Sequence, residues 1–463
     1  MSTLNTISPP DNSDIQGMII RGFTHPYSCH MIFKFKDKTG AKSFIKAIYP
    51  YVQSGEDWGK AKPDLMINIG LTFTGISIAS ELKKEDLNYF PPAFKQGPAS
   101  GNSQQSLNDY GPSNPSGWAF GSAAKQVDCV VHCYALSADY LEELVSTISK
   151  AAQLNQLTEY LPIDNGTKRL EEYATSPRNS IHFGYLDGID QPPLTWSIPP
   201  DPSDNGDLRN FIIGYPFPES TSAPAPSGDN NAGRFAKNGC YNAFRMLYQD
   251  SGAFDGFLND NSASIAKQLG KDLDYAKEWL AAKLNGRWRI GSPLELSPDE
   301  PDPKTIHATE FGYAGDTNGM RCPFAAHNRV ANPRDEVLTS AEPVPPPRLI
   351  RRGMAYGLPP AEGNYKGERG LIGLFLCGSL VGQFELLYSW INTTNFSTVI
   401  PGNQLQGQDA LIANRSMPGA NNSFTIPTAN GPVLIANLPQ FVVSKGTAYC
   451  LLPSLSTLKE IAS

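Results

Sequence analysis

Along the chain, hydrophobic and polar positions fall into two successive sets of strand-like and helix-like segments. Asp14 to Phe35 mixes β-branched and aromatic residues around Gly17, Gly22 and Pro26, which predicts two short strands with an irregular connection. Thr39 to Val52 puts Phe44, Ile45, Ile48 and Tyr49 on one face of a helix. A strand over Leu65 to Thr72 and a helix over Ser80 to Asn88 come next. Pro91 to Gly121, rich in Gly, Pro, Ser and Asn, predicts a long surface excursion. Val127 to Tyr134 returns to strand. Ser137 or Asp139 then caps a helix with Leu141, Leu144, Val145 and Ile148 at i, i+3, i+4 and i+7.

That order of strands and helices is the split βαβ pattern of a ferredoxin-like α+β unit. Pro199 to Gly233, interrupted by the apolar island Phe211 to Tyr215, predicts an inter-domain connection. A second set follows, with a strand at Gly239 to Tyr248 and a helix over Ile265 to Lys283 carrying Leu269, Leu273, Ala276 and Leu280 in register. A buried strand at Leu371 to Leu380 leads into a helix at Phe384 to Ile391. Two α+β domains, 1–233 and 234–463, account for this pattern better than one large sheet.

Composition narrows the class. With 40% hydrophobic and 18% charged residues over 463 positions, the chain is an ordinary globular protein with room for two or three cores. A net charge of -7, with cations scattered except for Arg348, Arg351 and Arg352, argues against a nucleic-acid partner. Met1 to Asp14 carries no Lys or Arg and no apolar core, so no targeting leader is legible. The longest apolar run, Gly370 to Gly382, falls short of the ~18 residues that span a bilayer. The expectation is a cytoplasmic protein without membrane contact. Seven cysteines, an odd number, read as reduced thiols. Cys129 and Cys133 share a strand face, but no second pair completes a zinc site.

Chemistry concentrates in Met320-Arg321-Cys322-Pro323-Phe324-Ala325-Ala326-His327-Asn328-Arg329, followed by Asn332-Pro333-Arg334-Asp335. An imidazole presented from an apolar turn can coordinate a metal in a dry site, and the guanidiniums can neutralise carboxylates of a bound cofactor. That combination points to haem. The bland alternative is a satisfied core histidine.

Three stretches, in order, resemble the dye-decolorising peroxidases, haem enzymes built from two ferredoxin-like domains of the dimeric α/β-barrel type with haem mainly in the C-terminal domain. They are Phe183-Gly184-Tyr185-Leu186-Asp187-Gly188-Ile189-Asp190-Gln191-Pro192, which matches a Gly-x-x-Asp-Gly signature, then Arg321 to Arg334, then Leu349-Ile350-Arg351-Arg352-Gly353-Met354-Ala355-Tyr356-Gly357. Weaker similarity extends over nearly the whole chain, most like the larger class that includes fungal and bacterial members.

The resemblance implies one haem b per chain with His327 as the proximal iron ligand and His307 as a distant rival. Asp409 is the expected carboxylate partner of the imidazole, against the alternative of a surface loop residue. On the opposite face the resemblance makes Asp187 the proton shuttle for hydrogen peroxide and Arg351 the stabiliser of the departing oxygen, giving an oxo-iron product. Arg352 is a neighbouring decoy. Arg334 resembles the position that pairs with a haem propionate, and Arg329 is a second candidate. The family often has an aromatic in the distal wall, whereas Gly373, Leu374 and Leu376 are expected to line it here, leaving a roomier pocket. Bulky dyes would then pass electrons through Trp390 or Tyr388, unless both only pack a core. A carboxylic acid, with a reference pKa near ~4, works at lower pH than an imidazole, so acidic conditions are expected to favour activity. The implied activity is peroxide-dependent oxidation of dyes and other aromatic reductants by a monomer or homo-oligomer. The alternative is a haem-handling protein with little turnover, which would need His327 but have little use for Asp187 and Arg351.

Overall fold

The computed structural model describes residues 8–173, 180–201, 203–215, 224–336, 346–360, 365–393 and 408–463. In the first half, β1 (Tyr27–Lys34) leads to α1 (Lys38–Ile48), then β2 (Leu65–Leu71), β3 (Cys129–Ala135), α2 (Ala138–Leu154) and the short β4 (Thr158–Tyr160) and β5 (Leu170–Tyr173). Asp37 and Ser137 cap α1 and α2, accepting from the backbone N–H groups of Gly40 and Tyr140. Phe44, Ile45 and Ile48 of α1 and Leu144 and Ile148 of α2 pack into one core. Strand β1 lies between β3 and the pair β4 and β5, with β2 beyond β3, all antiparallel.

The second half repeats the plan. Strand β6 (Cys240–Gln249) is followed by α3 (Ser251–Leu269), α4 (Leu273–Asn285), α5 (His327–Ala331), β7 (Ile350–Arg351), β8 (Ala355–Tyr356), β9 (Gly370–Cys377) and α6 (Leu386–Thr393). A small ladder of β10 (Phe424–Ile426) and β11 (Val433–Ile435) precedes β12 (Val442–Leu452) and α7 (Leu455–Ala462). Strand β6 lies between β9 and β12, with β7 and β8 on the far edge of β9. This is the first half's strand order, so the chain is α+β with two ferredoxin-like units.

The two sheets join at both edges. Leu71 of β2 faces Leu451 of β12, and Glu172 of β5 faces Tyr356 of β8, so the strands close into a ring. Ile32, Met66, Val130, Phe244, Leu374, Leu376 and Cys450 fill its interior. Helices cover the outside, and the strands are consequently buried on both faces.

Several segments depart from the expected pattern. Asp14 to Phe35 holds one strand, because Gly17–Ile20 forms a helical turn and the Gln16 side chain bonds to Ile69 and to the Pro453 carbonyl. The helix expected at Ser80 to Asn88 is confined to Lys84–Leu87, and a separate helix over Phe73–Ala79, where the Thr72 hydroxyl accepts from Gly75 N–H, ends at Ser80. Pro91 to Gly121 is no surface excursion, since Phe94, Leu107 and Trp118 are buried and the Trp118 indole donates to the Ser113 carbonyl. Ile265 to Lys283 is two helices, because Gly270 ends α3 at φ +65 and Asp272 caps α4 anew. Leu273 is therefore 52% exposed. The expected connection 199–233 includes 202 and 216–223, and the first seven residues precede the described chain; these lie outside the described residues. All seven cysteines are buried free thiols. No helix among the described residues is long and apolar enough to cross a membrane.

Candidate active site

His327 opens α5 after an extended Ala326. The turn before it is held by Asp316, whose carboxylate accepts from the N–H groups of Met320, Arg321 and Cys322. The imidazole Nδ1 lies 2.7 Å from Oδ2 of Asp409, a fully buried residue. Asp409 Oδ1 accepts from Leu411 and Ile412 N–H, each at 2.8 Å. Two amides and one imidazole thus surround the carboxylate, which places an imidazole hydrogen on Nδ1 and fixes the orientation of the ring. The imidazole is 29% exposed. Its rival His307 is exposed and forms none of these contacts.

Among the described residues no group of three His, Cys, Asp or Glu side chains is placed to hold a metal ion. A single oriented imidazole fits a metal that arrives with its own ligands, as iron does in haem, rather than a bare ion.

The Gly-x-x-Asp-Gly turn is anchored from behind. Tyr185 donates its hydroxyl to the Ala281 carbonyl and Leu186 N–H donates to the Arg289 carbonyl. Gly188 takes φ +75, which residues with a Cβ rarely adopt. Asp187 is exposed, and its Oδ1 accepts from Gly188 N–H. Arg351 donates its backbone N–H to Gln191 Oε1 and Nη2 to the Asp190 carbonyl at 2.6 Å. Burial pulls the pKa of Arg351 down, with the charges of Asp190 and Asp187 acting in the opposite direction.

Strand pairing fixes the two faces of β7 and β9. Arg351 stands opposite Phe375 and Ile350 opposite Leu376, and directly opposed residues share a face. Leu374 and Leu376, expected to line the pocket, therefore point with Ile350 into the ring interior, where both are fully buried. Phe375 takes the place beside Arg351. Its ring packs on Phe384 and Tyr388 at centroid distances of 5.3 and 6.1 Å.

The arginines separate cleanly. Arg329 was a second candidate for a propionate, but its guanidinium is fully buried and fully used. Nε donates to Glu336, Nη1 to Asp316 and the Cys322 carbonyl, and Nη2 to the Asp316 carbonyl and Glu336, between the rings of Phe324 and Tyr313. All five N–H donors have partners, so none remains for a cofactor. Arg334 differs. It donates Nη1 to the Thr309 carbonyl and Nη2 to Asp190 Oδ2, stacks 3.9 Å over Phe311, and keeps a buried Nε–H without a partner. A buried cationic donor left unpaired fits an incoming carboxylate. Arg352 donates to the Met18 and Ile19 carbonyls and braces the N-terminal turn.

Asp190 was overlooked in the sequence. Its carboxylate accepts from Asn332 and Arg334, which follow His327, and from Arg348, which precedes Arg351. The three motif stretches meet there. An acidic residue three positions past Asp187, with arginines near both other motifs, was the available signal.

No family model matches the chain. A dye-decolorizing peroxidase of Mycetinis scorodonius is 26% identical over 486 residues, covering 97% of this chain and 87% of that protein. One of Mycena epipterygia is 31% identical over 319 residues, covering 61% of this chain and 57% of that protein. The crystal structure of a fungal DyP-type peroxidase from Auricularia auricula-judae superimposes with a TM-score of 0.78 at 23% identity, covering 99% of this chain and all of that one. Over nearly its whole length, the chain is therefore similar to dye-decolorizing peroxidases in both sequence and fold.

Proposed function

We propose that this protein is a haem peroxidase that uses hydrogen peroxide to oxidise dyes and other aromatic reductants, with one haem b per chain. The observation that supports this reading is the buried Asp409 carboxylate at 2.7 Å from His327 Nδ1, which engages that nitrogen and leaves Nε2 to hold a cofactor's metal. When bound, haem supplies the iron that accepts the peroxide's oxygen and the oxidising equivalents.

His327 holds the group and, through Asp409, gains imidazolate character that favours oxidised iron. Arg334 meets a carboxylate of the cofactor with its unpaired Nε–H. Asp187 takes the proton from one peroxide oxygen and returns it to the other. Arg351 offers donors to the oxygen that leaves with negative charge. A protein that only carries haem has little use for the last two residues.

The test is to express the chain with haem available, record the Soret band, and follow oxidation of an anthraquinone dye after adding peroxide at mildly acidic pH. His327→Ala should lose the Soret band. Asp187→Ala and Arg351→Leu should keep it while slowing the reaction with peroxide by about 10²–10⁴-fold. Absence of haem uptake by the parent chain would end the reading. An unaltered peroxide reaction in both distal variants would leave a haem protein with a different mechanism.

A further inference from the structure

One carboxylate joins segments that are far apart in the chain. Asp190 Oδ2 accepts from Asn332 Nδ2 at 3.2 Å and Arg334 Nη2 at 2.8 Å, while Oδ1 accepts from Arg348 Nη2 at 2.9 Å. The main-chain carbonyl of the same residue accepts from Arg351 Nη2 at 2.6 Å and from Arg348 Nη2 at 3.3 Å. Its backbone sits at φ +21, a conformation that costs a residue with a Cβ and persists only where surrounding contacts over-determine it. Three donors on the carboxylate supply that constraint.

Charge gives a second reason. Arg334, Arg348 and Arg351 converge on this point, and three guanidiniums repel one another without an anion among them. Asp190 is that anion. Burial alone would raise its pKa, but Arg348, Arg334 and Arg351 together hold it below the ordinary carboxylate range.

We propose that Asp190 is a positioning residue: its clamped carboxylate holds the strained backbone whose carbonyl aims Arg351, and the same carboxylate fixes Arg334. One side chain thereby sets the spacing between the guanidinium that meets a cofactor carboxylate and the guanidinium that meets peroxide. This rests on the haem-peroxidase reading. It also goes beyond it, because Asp190 touches neither peroxide nor iron in that scheme.

The experiment uses Asp190→Asn, which keeps the shape but turns one acceptor oxygen into a donor facing a guanidinium. Haem is titrated into the apo-protein by Soret absorbance, and fluoride is then titrated into the ferric holo-protein, where a distal guanidinium donating to the bound anion strengthens its binding. Both affinities should fall about tenfold or more, the loss expected for a charge-assisted hydrogen bond. Arg348→Gln, which removes the Oδ1 partner and leaves Arg334 and Arg351 intact, should weaken fluoride in the same direction. It also stands in if Asp190→Asn fails to fold. A merely local structural role would lower the unfolding temperature of these variants and leave fluoride affinity alone. Parent-like fluoride binding in Asp190→Asn, or in Arg348→Gln if it stands in, overturns the proposal by itself, whereas no Soret band in the parent overturns it together with the haem reading.

Discussion

Asp409 Oδ2 and His327 Nδ1 lie 2.7 Å apart although 82 residues separate them in the chain. The pairing is rigid from the carboxylate's side. Two backbone amides hold Oδ1, and the Ala410 N–H donates to the Ala325 carbonyl, tying the acid's segment to the turn before the histidine.

Asp409→Asn tests what that contact does. An amide in place of the carboxylate removes the negative charge behind the imidazole, so haem affinity should fall about 10–100-fold. The ferric/ferrous potential should rise. Soret titration and spectroelectrochemistry measure the two, and an unchanged potential would show that the charge does not reach the iron.

Arg329 and Arg334 are five residues apart and should behave in opposite ways. Arg329→Leu strands Asp316 and Glu336 as buried charges, with an expected cost of about 3–5 kcal/mol in denaturant unfolding of the apo-protein. Arg334→Leu should lose less stability, because Arg348 still pairs with Asp190, while weakening haem uptake about tenfold. The reverse pattern would exchange the two assignments.

Glu295 gives a pH dependence of stability. Burial, with the Asp316 charge second and Arg321 opposing, pushes it up to about 7. The folded chain then keeps a proton that the unfolded chain releases. This contribution is fully present below the unfolded value of 4.5 and is lost as pH rises through about 7. Between about pH 5 and about pH 8, the parent's Tm should fall relative to that of Glu295→Gln. Parallel Tm curves would refute the shift.

Electron entry from bulky dyes separates Trp390 from Tyr388. Tyr388 is buried, with the Arg245 guanidinium 4.7 Å from its ring centroid. Trp390 is half-buried and packs against both the cluster holding Phe375 and the one holding Phe324 and Val330, three residues either side of His327. Trp390→Phe should slow a bulky anthraquinone dye roughly tenfold, about 1.4 kcal/mol in barrier, and leave a small phenol unaffected. Equal rates for the dye would confine Trp390 to packing.

What the sequence disclosed depended on how local each signal was. Helices α1 and α2 are legible because each has one face in a core and a capping residue at its start. The break at Gly270 was hidden, since Leu269, Leu273, Ala276 and Leu280 keep one register across it. His327, Asp187 and Arg351 stood out through motif resemblance. The inward and outward faces of β9 did not, because a strand buried on both sides shows no alternation, and a one-residue misreading exchanges Leu374 and Leu376 for Phe375. Arg329 and Arg334 could not be ranked by spacing. Asp190 was missed because its partners come from two distant segments.

The closed ring imposes an order of events on a growing chain. Strand β12 completes the second sheet against β6 and also seals one edge against β2, yet it leaves the ribosome after every residue assigned to iron or peroxide has emerged. Its pairings span long stretches of sequence, the kind of contact that forms late and slowly. The ring can therefore close only after the chain has been made through β12, when every candidate site residue is already in place along it.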